Sequence, residues 1–358
     1  MISLRGATRR APRRLLAAAG LLVLAACGQP LYVARLGLAE ARILLRRQPI
    51  PEVMAKPDVT PELRERLALV LKARSFARDH LGFEVGDSYT TYASVSPGET
   101  TVQVVSAAYR DRLEPYTWWY PVAGRVPYRG FFDPAAAHAE ARRLAERDLD
   151  VDVRPASAFS TLGWFADPLL STTANAGPVS LVTTVLHELF HQTLYVRGEP
   201  AFNESAATFA GERGAIAFFC TGPGADPERC EKARAAWAET RARARVLQRL
   251  AARLRRLYAS HPDPSERELR RTALARAAAR ALERRGLAGA DDLVPPNNAR
   301  LLGALLYATS LDDFAALAPG DTDPGPGLRA LVAAARGAPD PFRSLAALAE
   351  ERGKLQSG

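Results

Sequence analysis

The pentad His187-Glu188-Leu189-Phe190-His191 constrains this chain more than any other stretch. Its histidines stand four apart, so on a helix both imidazoles leave one face and can share a single metal ion. Leu181, Val182, Val185, Leu186, Leu189 and Phe190 make that helix mostly apolar and able to hold the pair in a dry cleft. Imidazole nitrogens at this spacing suit Zn2+, which lowers the pKa of a water towards ~7. Glu188 stands between the two histidines, where it can take that water's proton. The fold must therefore bury the helix on its apolar side and leave the histidine face lining a cleft.

Two histidines leave a zinc ion short of ligands. The later histidine of metzincins is absent, since Leu194 and Arg197 occupy that motif's Gly and His positions. A downstream carboxylate is the other solution. Gly198-Glu199-Pro200 is expected to end the zinc helix, with Gly198 at positive φ and Pro200 barring continuation. A second helix should begin near Asn203 and run back beside the first, its Ala206, Ala207, Ala210 and Gly211 permitting close approach. Glu204 would then reach the ion. His187, His191 and Glu204 supply three protein ligands to one Zn2+ and leave a fourth position open, as a hydrolase requires. Glu212, or else Asn203, is a candidate to hydrogen-bond the second ring nitrogen of a ligand histidine. Tyr128, Tyr195 and Tyr307, with Arg129 and Arg197 behind them, are alternative donors to an oxyanion beside the metal.

The first 26 residues carry five arginines and no acid, ending in the apolar run from Leu15 to Ala26. They read as a secretory signal, the run being too short for a comfortable bilayer span. Leu24-Ala25-Ala26-Cys27 resembles the bacterial lipobox, which makes Cys27 the lipidated N-terminus of the mature chain. Gly28 rather than Asp after it favours the outer membrane. The expectation is a cell-envelope lipoprotein facing the periplasm and held to the membrane through Cys27, with Sec and Tat export both open. Loss of the signal takes five arginines and no acid from a formal charge of +9 and leaves +4. So modest a charge argues against a nucleic-acid partner. Export also makes Cys220 and Cys230, on either side of Thr221-Gly222-Pro223-Gly224, a disulfide pair.

With 47% hydrophobic and 24% charged residues the chain cannot be wholesale disordered. Residues 27–59, broken by Pro49, Pro51 and Pro57, read as a tether and entry segment. Thr60-Pro61-Glu62 caps a helix running to about His80. From Tyr89 to Arg129 β-branched and aromatic residues take over, with the strand at 101–105 the clearest. Asp133-Pro134 starts a helix to about Asp148, and residues 151–154 alternate as a further strand. From Val179 onward nearly everything reads helical, including an Arg- and Ala-rich helix from Pro227 to Tyr258 whose charges form a solvated face. The fold expected is α+β and predominantly helical. Residues 60–225 would form a core with a small sheet beside the zinc helix, and residues 226–358 a helical subdomain closing the cleft.

At Tyr128-Arg129-Gly130-Phe131-Phe132, Thr161 through Leu169, the zinc helix, Phe202-Asn203-Glu204, and Asn297-Asn298-Ala299 with Tyr307 beyond, the sequence resembles a family of bacterial lipoproteins grouped as aminopeptidases. These are similar to zinc peptidases of the glutamate-ligand (gluzincin) type, and the resemblance covers most of the mature chain. It implies His187, His191 and Glu204 as zinc ligands and Glu188 as general base, acting on a peptide substrate. Only twelve residues separate His191 from Glu204, fewer than in the thermolysin-like or large aminopeptidase families, so the connection must turn tightly. The Gly-x-Met-Glu-Asn signature of the large zinc aminopeptidases is absent, and Asp167 or Glu199 is the candidate anchor for a substrate amine. The rival reading is a non-catalytic envelope lipoprotein whose zinc staples a helical, partner-binding body. A fourth protein ligand would mark the staple and an open position the enzyme.

Overall fold

The computed structural model of the protein describes residues 44–95, 102–120, 124–131, 133–155, 167–260, 263–320 and 323–357. The expected signal segment with Cys27, and Thr161 to Ala166, lie outside them. A short strand β1 (Gln48–Pro49) and helix α1 (Ile50–Ala55) precede α2 (Pro61–Phe76). The Thr60 hydroxyl accepts from the Leu63 amide at 3.2 Å and Pro61 fills the first helical position, so α2 starts where its cap predicts. A π-helical turn, Ala77–Leu81, leads to Gly82, whose φ of +77° ends the run.

Five strands follow: β2 (Thr91–Ala93), β3 (Gln103–Tyr109), β4 (Trp118–Tyr120), β5 (Gly124–Val126) and β6 (Tyr128–Phe131). Helix α3 (Pro134–Ala145), capped by Asp133, leads to β7 (Leu149–Pro155), then β8 (Leu169–Leu170) and the single turn α4 (Ser171–Ala174). These strands make a sheet β1-β2-β8, an antiparallel sheet β6-β3-β7 and a hairpin β4-β5. The rest of the described chain is helical: α5 (Pro178–Thr193), α6 (Pro200–Cys220), α7 (Pro227–Ala259), α8 (Pro264–Glu283), α9 (Asn298–Leu306), α10 (Leu311–Ala316), α11 (Gly325–Ala335) and α12 (Pro341–Ser357). The fold is thus α+β and predominantly helical. None of the described helices is long and apolar enough to cross a membrane.

The central sheet works through strict alternation along β7. Leu149, Val151 and Val153 join Val105, Phe131 and Leu144 in an apolar layer under α3. Asp150 and Asp152 face the other way, towards α9. Asp150 accepts the Asn298 amide at 2.7 Å and pairs with the buried Arg271, while Asp152 accepts from Arg300 Nε at 3.0 Å. Asn298 also donates to the Tyr109 carbonyl and accepts from the Tyr258 hydroxyl, and Asn297 donates to the Val151 carbonyl. The Asn297-Asn298 pair therefore docks α9 onto the sheet.

Helices α5 and α6 form the centre of a continuous apolar cluster that runs from Ile50 to Leu345. Six apolar side chains of α5, Leu181 to Phe190, are wholly buried, each contributing about 1.5–3 kcal/mol. Their helix stops at Thr193, earlier than its sequence suggests, because Leu194 turns to an extended backbone (φ −139°, ψ 116°). Gly198 has the expected positive φ, +86°, but lies in the connecting loop, and Pro200 opens α6 instead of barring α5. A proline in the first turn of a helix removes no intrahelical bond, so the position suits it. Cys220 and Cys230 form the expected disulfide, joining the end of α6 to the start of α7.

Gly211 sets the spacing of α5 and α6. A Cβ there would stand 2.6 Å from the Thr183 carbonyl oxygen and 3.1 Å from the His187 Cβ. The obstruction is helix backbone, which yields only if the whole helix shifts. Gly211→Ala should therefore lose about 1–3 kcal/mol of stability, read as a lowered denaturation midpoint. A midpoint equal to wild type would mean the two helices have slack at this crossing.

Glu212, beside it, does not face a histidine as the sequence suggested. One residue beyond the crossing, it points to α7 and accepts from the Thr240 hydroxyl at 3.2 Å. Burial raises its pKa to about 7, against the smaller lowering by Thr240. Between the ordinary value of 4.5 and 7 the folded chain keeps a proton the unfolded chain has released. The stability is complete below that window and falls as pH rises through it. Glu212→Gln keeps the hydrogen bond and removes the ionisation, so it should stabilise the protein at pH 8 by up to about 3 kcal/mol and change little at pH 4.5. Equal effects at both pH values would count against a buried proton here.

Candidate metal centre

The histidine face of α5 meets the first turn of α6. His187 Nε2 lies 3.3 Å from His191 Nε2 and 3.3 Å from Glu204 Oε2, and His191 Nε2 lies 3.7 Å from the same oxygen. A tetrahedral ion with bonds of about 2.0–2.1 Å has ligand-to-ligand edges of about 3.3–3.4 Å. Two of the three edges match that length and the third, at 3.7 Å, is a few tenths longer, so the atoms stand at the spacing of one face of a zinc tetrahedron. Among the described residues they are the one cluster of three or more His, Cys, Asp or Glu able to hold a metal, and no fourth such side chain joins it. All three are partly buried, with side-chain exposures of 15%, 22% and 26% in chain order. The donor set, two imidazoles and one carboxylate with a vacant corner, fits a zinc ion.

The connection between the two helices is held by its own polar groups. Asn203, buried in the first turn of α6, accepts from the Val196 amide and donates to the Val196 carbonyl, both at 2.8 Å. It clasps the loop and so brings Glu204 back towards α5. It does not reach a histidine nitrogen, since both ends of its amide are taken by Val196.

Charges around the triangle reinforce one another. Burial raises the Glu204 carboxyl, yet hydrogen bonds to both histidines and their charge outweigh it and hold its pKa at about 2. His191 is displaced upward despite its burial, because Glu204 bonds to it and both Glu204 and Glu188 attract its proton. Glu188 is raised by burial first, with Glu204 and Asp167 adding repulsion against the pull of the two histidines. A carboxylate of raised basicity is what proton abstraction at neutral pH needs.

Of the three candidate tyrosines, Tyr307 borders this group directly, Tyr128 feels the Glu204 charge, and Tyr195 stands beside Tyr128. Tyr307, at the end of α9, stacks on His187 with ring centroids 6.0 Å apart, and its hydroxyl interacts with Glu204. Its pKa is driven well up by burial and then by the Glu204 charge. Burial, Tyr195 and Glu204 together raise Tyr128, on the edge strand β6. Tyr128, Tyr195 and Tyr307 are 47%, 64% and 37% exposed, so all three keep part of their surface in solvent. Arg129 does not stand behind them: alternation along β6 sends it to the α3 side, 3.7 Å from Glu140. Arg197 is exposed in the loop after α5, and Glu199 precedes α6, where its carbonyl accepts the Asn203 amide.

Two contributors carry no signal in the sequence. Ser205, wholly buried beside Glu204, donates to the Leu306 carbonyl at 2.8 Å and accepts from the Thr309 amide at 3.0 Å. It ties the end of α9 to α6 and so sets Tyr307 against the triangle. Tyr89 is buried at φ +59°, a strained backbone for a bulky residue, with its amide bonded to the Asp167 carbonyl at 2.8 Å. Its pKa is far up through burial first, then through the charges of Glu188 and Asp167. Ser88 fixes this loop, accepting from Gln192 Nε2 at 2.7 Å and from the Asp167 amide at 3.1 Å. Both positions are reached only across separations of about a hundred residues, which local pattern does not encode.

No curated protein and no solved structure matches the chain. A family model does, over residues 31–322, which takes in both sheets, the triangle, Ser205 and Tyr307. Its description is putative aminopeptidase, and a match over so much of the length places the chain in that family.

Proposed function

We propose that the protein is a zinc-dependent aminopeptidase with its reaction centre at His187, His191 and Glu204. The observation that carries this reading is the cluster of His187, His191 and Glu204 at metal-ligand spacing with Glu188 beside it. Membership of an aminopeptidase family supports the coarser part of this reading, a peptidase. A bound zinc ion would supply Lewis acidity, lowering the pKa of water and polarising a substrate carbonyl. The chain supplies the rest. Glu188, raised in basicity, takes the proton of the attacking water and can pass it to the leaving amine. Tyr307, the tyrosine that interacts with Glu204, keeps its proton and offers its hydroxyl as a hydrogen-bond donor to the developing oxyanion. Asp167 acts electrostatically on Glu188 and Tyr89, and its carboxylate gives a substrate ammonium a counter-charge on that side of the centre.

The lipobox-like tetrad extends the proposal to location: an envelope lipoprotein held through Cys27 at the outer membrane, facing the periplasm. Cys27→Ala should leave the signal uncleaved or the protein free of membranes. Membrane-bound mature protein without N-terminal lipid would refute the anchor.

Metal and base should separate by mutation. His187→Ala and Glu204→Ala should each lose bound zinc, since each removes one of three protein ligands. Glu188→Gln should keep zinc and lose about 100- to 10,000-fold in peptide hydrolysis, because an amide cannot accept the proton. Metal content measured beside turnover decides it. Stoichiometric zinc in Glu204→Ala, or unchanged turnover in Glu188→Gln, would overturn the assignment, and intact zinc without hydrolysis in wild type would favour a structural staple.

A further inference from the structure

Strand β7 presents Asp150, Asp152 and Arg154 to α9 at successive alternate positions. The two acids are spent on Arg271, Asn298 and Arg300. Arg154 is not spent: among the described residues no carboxylate pairs with it. It is half-buried, and its guanidinium lies flat against α9 where that helix has no side chain. A Cβ built on Gly303 would stand 3.5 Å from its Cζ and from both Nη atoms at once, as it would over a plane met face-on. Tyr307 comes four residues later, one turn along the same side of the helix. The Arg154 charge acts on the Tyr307 hydroxyl, and beyond that hydroxyl stand Glu204 and the His187 ring. One tyrosine therefore separates an unpaired guanidinium from the metal centre.

A planar fork of N–H donors, partly withdrawn from water and lacking an internal partner, is complementary to a carboxylate. The reacting oxyanion is not its ligand, because Tyr307 rather than Arg154 reaches the triangle. The charge it meets must lie further along the bound substrate. On a peptide of any sequence, the anion that is always present is the C-terminal carboxylate. The link to the centre runs through α9: Arg154 lies on Gly303, Tyr307 stands one turn on, and its ring stacks on His187. Gly303 and Tyr307 lie about 6 Å apart along the helix at about 1.5 Å per residue, close to the span of two residues of extended chain at about 3.3–3.6 Å each.

We propose that Arg154 is the anchor for the substrate's C-terminal carboxylate, and that this centre acts on free dipeptides and tripeptides in preference to the ends of long chains. The proposal rests on the reading of His187, His191 and Glu204 as the reaction centre. The test compares trialanine with trialanine amide, and both with a decapeptide, on the zinc-loaded mature protein. Wild type should favour the free acid by about 10- to 100-fold in kcat/KM, carried mainly by KM. Arg154→Met should bring the acid-to-amide ratio close to one, and Arg154→Lys, which keeps the charge and loses the fork, should retain part of it. Equal cleavage of acid and amide by wild type, or an unchanged ratio in Arg154→Met, would overturn the proposal. Calorimetric binding of the same two tripeptides to Glu188→Gln gives a readout that needs no turnover. Preference for the acid that vanishes with Arg154→Met in that background upholds the subsite even if hydrolysis fails and the reaction-centre reading with it. Equal binding of acid and amide, or binding of neither, refutes it.

Discussion

The centre depends on how closely α6 can lie on α5. The ligand triangle has edges of 3.3–3.7 Å, and a displacement of 1 Å between the helices would take Glu204 out of reach of one histidine. Gly211 permits the approach by presenting nothing to the Thr183 carbonyl and the His187 Cβ. Gly214 does the same one turn on, where a Cβ would stand 2.8 Å from Leu186. Asn203 fixes the other end of the lever by clasping Val196. Ala206, Ala207 and Ala210 are buried between these points, and a larger side chain at any of them would widen the crossing. Small residues and one buried amide thus do what a longer connection does in other folds.

The remaining parts are brought to this helix pair by buried polar contacts. Asp150 is the most heavily used of them. It sits at a crossing of β7, α8 and α9, where Arg271 and the Asn298 amide share it, with Arg110 also near at 3.5 Å. An ion pair so buried adds little net stability over apolar packing, but removing one partner strands a charge in the interior. Its effect is to specify one way for α9 to lie on the sheet. Ser205 then fixes the far end of α9. Tyr307 is thus positioned by contacts at both ends of its helix.

Much of this was legible in the sequence, and the limits have physical causes. Four-residue spacing makes the histidine pair readable, because helical geometry alone puts both rings on one face. Asp133-Pro134 and Thr60-Pro61 were readable for the same reason, their capping bonds being local. Glu204 could be singled out as a long acid among small residues, yet the turn that delivers it was misjudged. Pro200 in the first turn of one helix resembles Pro200 after the last turn of another, and the extended backbone at Leu194 decides between them. Glu212 and Arg129 went astray through direction: one residue beyond a helix crossing, or one step along a strand, faces away from the site. Tyr89, Ser205 and Arg154 act through contacts that only the finished topology makes.

Electrostatics unites the centre with its surroundings. Glu188 and Glu204 act on the imidazoles, while the charges of Glu204 and Asp167 add to the raised value of Glu188, and those of Glu188 and Asp167 to that of Tyr89. Glu188 and Glu204 give the two imidazoles a negative surround, which lowers the energy of a cation placed among them. Under the proposed function, a divalent metal held by His187, His191 and Glu204 would answer that field. Arg154, joined to the centre through Gly303 and Tyr307, is a cation with no described carboxylate to neutralise it. If it takes a substrate carboxylate as proposed, a short peptide brings its C-terminus to that place, and a long chain carries its own beyond reach.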